Sequence, residues 1–232
     1  MLESNLTQEF YRQLARVGTA LANPHRLRLI HLLSQAERTV ESLADAMGLS
    51  VANISHHLQN LSRVHLVSSR REGRHVIYSL ADDAVKIFWL TYREFSYTRL
   101  PELQVMRTAL DEQRAVHGKV DQESLAELLK HNAVTLLDVR PGVEYVAGHI
   151  PGAISCPLDE LAERIRSLPA ERTIVLYCRG PYCLLADQAR EMLAARKITA
   201  LQFIDGAVEW EAAGRPIRKS SFNPTGACVS RP

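Results

Sequence analysis

Two cysteines, Cys178 and Cys183, are the first and last residues of a six-residue segment whose composition suits sulfur chemistry. The segment follows an apolar run typical of a buried strand and leads directly into a helical pattern, so its backbone N–H groups can converge at a helix N-terminus. An anion is favoured there, and the anionic thiolate is the form of cysteine that attacks sulfur. Arg179 adds a positive charge that would attract thiosulfate, polysulfide or a low-molecular-weight persulfide. The sequence therefore predicts a catalytic nucleophile at Cys178, with Arg179 beside it.

A second thiol, Cys183, ends this segment. It could convert a persulfide on Cys178 into a disulfide if the two Cα atoms lie within about 7 Å of each other. Cys156 and Cys228 are further possible redox partners, and the alternative for each of these thiols is a small apolar filler without a chemical role. A weaker alternative joins Cys178, Cys183 and Cys156 into a site for arsenite or a soft metal. Apart from that alternative, we expect no metal and no cofactor.

The residues around this segment alternate between strand and helix patterns. Strands are predicted at residues 134–139, 173–177 and 201–204, and helices at residues 125–129, 158–167, 184–195 and 208–213. Alternation of this kind gives an α/β domain with a central parallel sheet, whose ligands lie at the carboxyl ends of the strands. Cys178 directly follows the second of these strands. The predicted fold therefore places the cysteines where a ligand is expected.

Residues 119–218 resemble a single rhodanese domain. The motifs that carry the resemblance are Asp138-Val-Arg140, Glu144-Tyr145, Gly148-His-Ile-Pro-Gly-Ala153, the cysteine loop, and Asp205-Gly206 with Trp210. The resemblance implies sulfurtransferase activity, in which Cys178 takes a sulfane sulfur as a persulfide and hands it to a thiol acceptor. It also implies that backbone around the substrate comes from the middle of the loop, from Gly180, Pro181 and Tyr182.

The cysteine loop departs from the family pattern in two places. Pro181 stands at the fourth position, where glycine is usual, and Gly180 comes one place early. The loop ends in Cys183, where a hydroxyl or a basic residue is common. Its length of six residues matches the sulfur-handling proteins, whereas related phosphatases have seven residues that end in arginine, and this chain has Leu184 at that place. Phosphate chemistry is therefore disfavoured.

The first half of the chain predicts several helices in succession. Apolar spacing indicates a first helix over residues 6–21. Asn23 followed by Pro24 is a cap with proline at the first helical position, so a second helix begins there. A third helix fits residues 40–47, and Gly48 can supply the left-handed residue that ends it.

A fourth helix begins after Ser50, which caps it and completes a helix-turn-helix. Residues 66–80 alternate as two strands around residues 72–74, which predicts a basic hairpin, or wing, beside the recognition helix. Between residues 50 and 79, four arginines stand against one glutamate, a composition that favours binding to a polyanion. The predicted DNA-binding residues are Ser50, Ala52, Asn53, Ser55, His56, Gln59, Arg63, Arg70, Arg71 and Arg74.

Residues 8–97 resemble the ArsR-type winged-helix repressors. The resemblance rests on the run from Leu21 to Ile30, the Ser55-His-His-Leu58 run, and Ser69-Arg-Arg-Glu-Gly-Arg74 with Tyr78. It implies a homodimer on a double-stranded DNA operator with two-fold symmetry, in which the first helix and the helix after the wing form the dimer contact. The later helix has a broad apolar face that suits this contact, made of Val85, Phe88, Trp89, Tyr92 and Phe95.

Metalloid-sensing relatives differ from this chain at their metal ligands. They carry a Cys-x-Cys pair where this chain has Thr39-Val40-Glu41, and the late helix, residues 82–97, contains no histidine. Soft metals need thiolate or imidazole ligands at close spacing. We therefore expect no metal site in this half of the chain.

These patterns predict two domains, which together cover most of the 232 residues. A mainly α winged helix-turn-helix domain covers residues 1–100, a helical linker residues 101–118, an α/β rhodanese-like domain residues 119–218, and a flexible tail residues 219–232. The composition, 46% hydrophobic and 23% charged, excludes collagen-like and disordered chains. No window approaches 18 consecutive apolar residues and the first residues show no secretion signal, so we expect a cytoplasmic protein with no membrane partner.

The two resemblances together imply a transcriptional regulator, a repressor by analogy, whose rhodanese domain senses or transfers sulfane sulfur. The alternative is a thiosulfate or persulfide sulfurtransferase that the winged helix tethers to DNA. Fold alone does not decide between them, because the chemistry depends on the site and not on the domain type.

Overall fold

The computed structural model describes residues 2–165 and 172–220. Its internal contacts divide the chain into two compact units, Met1–Tyr92 and Arg93–Pro232. Cys228, one of the predicted redox partners, and the predicted tail from residue 221 onwards lie outside the described residues.

The first unit is a winged helix-turn-helix built on a small antiparallel sheet. Its elements are α1 (Leu2–Leu21), α2 (Pro24–Gln35), β1 (Arg38–Thr39), α3 (Val40–Met47), α4 (Val51–Ser62), β2 (Val67–Glu72), β3 (His75–Leu80) and the start of α5 (Asp83–Arg99). β2 and β3 form the predicted hairpin, and β1 adds a third strand in the order β1-β3-β2. β1 has two residues, too few for a periodic signal in the sequence.

Local capping fixes the helix boundaries that the sequence predicts. The Asn23 side chain accepts hydrogen bonds from the first backbone N–H groups of α2, and Gly48 ends α3 with a left-handed φ of 67°. Ser50 Oγ accepts the backbone N–H of Asn53 at 3.3 Å and so starts α4. The apolar faces of α2, α3 and α4 meet in a core that includes Leu29, Ile30, Leu43, Ile54, Leu58 and Leu61.

The second unit is an α/β domain with a five-stranded parallel sheet. After the end of α5 its elements are α6 (Pro101–Ala115), β4 (Lys119–Val120), α7 (Gln122–Lys130), β5 (Val134–Asp138), α8 (Gly142–Ala147), β6 (Ile154–Ser155), α9 (Leu161–Arg164), β7 (Thr173–Tyr177), α10 (Leu185–Ala194), β8 (Ala200–Phe203) and α11 (Ala207–Ala212). The strand order is β4-β8-β7-β5-β6, and each neighbouring pair is parallel. This confirms the predicted two-domain fold.

The predicted strands are the three central strands of this sheet. They correspond to β5, β7 and β8, while the two-residue edge strands β4 and β6 and the short helix α8 were not predicted. Such short elements carry too few residues for a hydrophobic period. The segment expected as a linker, residues 101–118, contains α6 and belongs to the second unit. No helix of the described residues is long and apolar enough to span a lipid bilayer.

Candidate functional site

The cysteine loop lies at the carboxyl end of β7, in the centre of the sheet. Cys178 follows this strand directly, and the loop enters α10 after Leu184. Both cysteines are buried, with 2% of Cys178 and 7% of Cys183 exposed. The Cys178 thiol lies 3.4 Å from the carbonyl oxygen of Cys183 and donates to it. Neither cysteine forms a disulfide, and both are free thiols.

The two thiols change each other's acidity. A hydrogen bond from the Cys178 thiol to the Cys183 sulfur, together with the backbone N–H groups of Arg179 and Leu185, lowers the pKa of Cys183 to about 6. Burial, and the charge that develops on Cys183, raise the pKa of Cys178 well above its ordinary value of 9.0. The pair therefore loses one proton easily and keeps the other. The loop N–H groups thus favour an ionised Cys183, whereas the sequence predicts the stabilised thiolate at Cys178.

Glycines allow the loop to pack closely against its neighbours. Gly180 has a φ of 101°, a conformation that side chains rarely adopt, and a Cβ there would lie 2.7 Å from a carboxylate oxygen of Glu209. A Cβ on Gly206 would lie 2.7 Å from the carbonyl oxygen of Cys178. The displaced glycine noted in the sequence thus has a structural reason, since it lies at the turn that faces Glu209.

Arg179 forms an ion pair inside the protein. Its Nε donates to both carboxylate oxygens of Glu144 at 2.9 Å, and its Nη2 lies 2.8 Å from Glu144 Oε1. Glu144 is fully buried, whereas 17% of the Arg179 side chain is exposed. Glu144 balances the charge of the guanidinium, and this weakens the attraction for anionic donors that the sequence predicts for Arg179. The backbone N–H of Arg179 still faces both sulfurs.

A buried polar cluster supports the strand ends beneath the loop. Arg140 Nη2 lies 2.6 Å from Asp138 Oδ2, and the Tyr177 hydroxyl donates to the same oxygen at 2.5 Å. Arg140 also donates to the carbonyl oxygen of Gly148 at 2.8 Å. These groups pair with one another and with the backbone, so the cluster joins the end of β5 to β7.

The loop's middle residues are placed by a neighbouring helix. The carbonyl oxygen of Pro181 accepts a hydrogen bond at 2.8 Å from Arg114 of α6. The half-buried Tyr182 ring lies below the Arg93 guanidinium, 5.5 Å from its centre. Sequence reasoning missed these two arginines, because their partners in the loop are distant from them in the chain.

Cys156 does not complete a metal site with Cys178 and Cys183 in the part of the chain that the structure describes. Cys156 is fully buried, and burial raises its pKa to about 11, so it stays protonated at neutral pH. Within residues 2–165 and 172–220, no group of three or more His, Cys, Asp and Glu side chains is arranged to hold a metal ion. The arsenite-binding alternative through Cys156, Cys178 and Cys183 has no support from this geometry.

The predicted DNA-binding residues lie on the surface of the first unit. All of them are exposed except Ser55, which is half-buried. On α4, Ala52, His56 and Gln59 are on the opposite side from the buried Ile54 and Leu58. Ser50 and Asn53 are joined by the capping hydrogen bond described above.

The arginines near α4 and the wing differ in how far their charge is balanced. Arg70 forms an ion pair with Glu37 and lies 3.7 Å from Glu72. Arg71 donates to the carbonyl oxygen of Gly73, at 3.3 Å. Arg74 donates to the ring of His75 and Arg63 to the side chain of Asn60, at 3.2 and 3.1 Å. Within the described residues Arg63, Arg71 and Arg74 have no carboxylate partner, so their charges are available to phosphate.

Two protein-family models match the chain. A rhodanese-like domain matches residues 121–213, and a helix-turn-helix domain matches residues 21–70. The HTH-type transcriptional regulator Rv0324 of Mycobacterium tuberculosis is 40% identical over 207 residues, which cover 88% of this chain and 90% of that protein. The chain belongs to the ArsR-type transcriptional regulators with a rhodanese-like domain. Both resemblances drawn from the motifs are confirmed.

Other relatives match one half of the regulator. A transcriptional repressor SmtB homologue of Synechocystis is 47% identical over 74 residues, or 32% of this chain and 56% of that protein. The winged helix-turn-helix DNA-binding domain of Mb0332 from Mycobacterium bovis is 38% identical, covers 40% of this chain and 86% of that one, and has a TM-score of 0.39. A rhodanese-related protein of Thermoplasma volcanium is 26% identical, and the match covers 44% of this chain and 97% of that protein, also with a TM-score of 0.39.

Proposed function

We propose that this regulator takes up sulfane sulfur at Cys178 and that the modified cysteine loop changes its affinity for operator DNA. The observation that carries the proposal is the pair of buried thiols at the end of β7, beside loop backbone N–H groups that lower the pKa of Cys183. Such a pair can attack a sulfane sulfur and can then resolve the adduct. A structural filler would need neither the second thiol nor the surrounding N–H groups.

The first step forms a persulfide. The Cys178 thiol passes its proton to the Cys183 thiolate, and the Cys178 thiolate attacks the sulfane sulfur of thiosulfate. The new S–S bond forms as the sulfur–sulfur bond of thiosulfate breaks, and sulfite leaves with the electron pair. The backbone N–H groups at the loop then stabilise the negative outer sulfur of the persulfide. Polysulfide donates in the same way, with a shorter polysulfide as the leaving group.

The second step resolves the persulfide. The outer sulfur of the persulfide first takes up the proton that Cys183 received in the first step. The resulting Cys183 thiolate attacks Cys178 Sγ, the bond to the outer sulfur breaks, and hydrosulfide leaves with the electron pair. A Cys178–Cys183 disulfide remains, so the two thiols are oxidised and the sulfane sulfur is reduced. Alternatively, an external thiol takes the outer sulfur, which returns both cysteines to their starting state and makes the domain a sulfurtransferase.

On the DNA side, we propose that α4 enters the major groove and the wing contacts the backbone of an operator with two-fold symmetry. The exposed face of α4 and the unbalanced arginines of the wing support this docking. A homodimer through α1 and α5 is supported by apolar side chains that are exposed in one chain. These are Leu6, Phe10, Leu14, Phe88 and Phe95, which are between 39% and 74% exposed.

The deciding experiment measures operator affinity by fluorescence anisotropy under anaerobic conditions. Reduced wild type, polysulfide-treated wild type and treated Cys178→Ser are compared, and intact mass shows the adduct on each. We expect at least a tenfold change in the affinity of wild type and no change in Cys178→Ser. If wild type gains sulfur while its DNA affinity stays constant, regulation by sulfur is refuted and the protein is a sulfurtransferase joined to a DNA-binding domain. Cys156→Ser serves as the matched control, because that thiol lies outside the loop.

A further inference from the structure

Helix α6 has one buried side chain, and that side chain is charged. Arg114 is 1% exposed and is the single buried residue of α6 in the described structure. On the same helix, Val105 and Met106 are 69% and 62% exposed. Burying a guanidinium group is unfavourable unless its donors are satisfied, so the partners of Arg114 indicate what the burial achieves.

Those partners belong to the cysteine loop and to the helix that follows it. Arg114 donates to the carbonyl oxygens of Pro181, at 2.8 Å, and Cys183, at 3.2 Å. Its Nε and Nη2 also donate to the two carboxylate oxygens of Asp187 in α10, at 3.1 and 2.9 Å. Asp187 in turn accepts from Gln202 of β8, at 3.3 Å. One guanidinium therefore fixes the end of the loop relative to α10 and to α6.

The Cys183 carbonyl oxygen connects Arg114 to the reacting sulfur. It accepts from Arg114 Nη2 at 3.2 Å and from the Cys178 thiol at 3.4 Å. A persulfide or a disulfide at Cys178 removes the S–H donor, so this oxygen loses one of its two partners. A disulfide also requires the Cys183 side chain to move towards Cys178, and the carbonyl oxygen of the same residue moves with it.

A second arginine contacts the same loop from the preceding helix. Arg93 Nη2 of α5 lies 2.7 Å from Glu209 Oε1, and the guanidinium lies over the Tyr182 ring. Glu209 also accepts the backbone N–H of Gly206 at 2.9 Å and faces Gly180 across the turn. The loop is therefore contacted from α6 through the carbonyl oxygens that Arg114 bonds, and from α5 through the Tyr182 ring and Glu209.

We propose that Arg114 is a positioning residue for the Cys178–Cys183 loop and that a change in thiol state alters the position of α6 through it. The inference rests on the proposed function for the identity of the signal. The positioning role concerns α6, the loop and α10 alone, so it is testable on the thiols without DNA. The proposed movement of α6 predicts that the sulfur-dependent change in operator affinity requires Arg114.

The test uses Arg114→Lys in the full-length chain, with Arg107→Lys as the matched control. Lysine keeps the charge but carries its three N–H donors on one nitrogen, so it cannot reproduce the four hydrogen bonds that Arg114 makes from three nitrogens. Arg107 lies on the same helix, is partly exposed and pairs with Glu94 and Asp111 instead of the loop. The measurements are the pH profile of thiol alkylation, persulfide formation by intact mass, and operator affinity before and after polysulfide.

Three results are possible. The proposal is supported if Arg114→Lys moves the alkylation profile to higher pH and still forms the persulfide. In addition, the polysulfide-dependent change in operator affinity must fall from tenfold to less than threefold, while Arg107→Lys behaves like wild type. An unchanged profile in a folded Arg114→Lys protein overturns it. A shifted profile in a regulator whose wild type shows no DNA response leaves Arg114 as a positioning residue and overturns its role in transmission. The missing DNA response of wild type in that last case refutes the proposed function, and this failure is distinguishable because it does not depend on the Arg114→Lys variant.

Discussion

The cysteine pair should ionise well below the pH at which an ordinary thiol does, and Cys183→Ser should abolish this. The hydrogen bond from Cys178 and the loop N–H groups lower the pKa of Cys183 from 9.0 to about 6. At pH 7 a thiol of pKa 9 is about 1% ionised, whereas one of pKa 6 is about 90% ionised. In Cys183→Ser the remaining Cys178 is still buried, and burial alone keeps its pKa high.

The expected increase in alkylation rate at pH 7 is smaller than the increase in the ionised fraction of the thiol. Thiolate nucleophilicity falls as pKa falls, with a coefficient of about 0.4–0.5, so a thiolate of pKa 6 attacks roughly twenty-fold more slowly than one of pKa 9. The net advantage at pH 7 is therefore only about fivefold. The shape of the pH profile is more informative than its height. Wild type should reach its plateau near pH 7, while Cys183→Ser should still be accelerating at pH 9.

The assay is the rate of alkylation by a neutral haloacetamide between pH 5 and pH 10, with each cysteine assigned by peptide mass. Restricted access of the reagent to a buried cysteine lowers its alkylation rate by the same factor at every pH, so it leaves the midpoint of that cysteine's profile unchanged. Cys156→Ser is the control, since burial raises the pKa of this thiol to about 11 and it should contribute little below pH 9. A wild-type midpoint near 9, or a midpoint near 6 that persists in Cys183→Ser, would refute the coupling of the two thiols.

Three further predictions concern DNA binding, pH and packing. Arg71→Ala should reduce affinity for all DNA sequences and lower the slope of log affinity against log salt concentration by about 0.9. Arg70→Ala should have less effect, because Glu37 balances the charge of Arg70. Equal slopes for the two variants in anisotropy titrations would contradict this prediction. Burial lowers the pKa of His57 below 6.5, so the unfolded chain binds the proton more readily than the folded one. The contribution of His57 to the free energy of unfolding should therefore be complete above pH 6.5 and decrease at lower pH. In urea denaturation, His57→Leu should flatten this pH dependence. Gly206→Ala should lower the free energy of unfolding by about 1–3 kcal/mol, because the new Cβ would lie 2.7 Å from backbone of the cysteine loop. Gly18→Ala is the control, because open space surrounds Gly18 and this change should not lower the melting temperature.

Regulation by a single loop requires a large coupling free energy. To move operator occupancy from 99:1 to 1:99, the modified and unmodified proteins must differ by about 5.5 kcal/mol in their preference for DNA. A new charge on an exposed loop rarely supplies this amount, since solvent screens it. A buried loop whose backbone carbonyl oxygens hold Arg114 is better suited, because its hydrogen bonds are lost or kept as a set.

The sequence by itself determined the features that depend on neighbours in the chain. Asn23 with Pro24, Gly48 and Ser50 set helix ends because a cap is completed within three or four residues. The cysteine loop was placed at a strand end because a continuous apolar run precedes Cys178 and a helical period follows it. The exposed face of α4 follows in the same way from the spacing of its apolar residues.

Only the tertiary structure decided which charged groups meet. Arg179 pairs with Glu144, 35 positions away, and Arg114 bonds the carbonyl oxygen of Pro181 across 67 positions. Arg70 is balanced by Glu37, 33 positions earlier. A single sequence records no preference for one distant carboxylate over another, since the partner is set by the strand order and by which groups are desolvated together. The sequence therefore predicted the thiols, and the fold decided which groups control them.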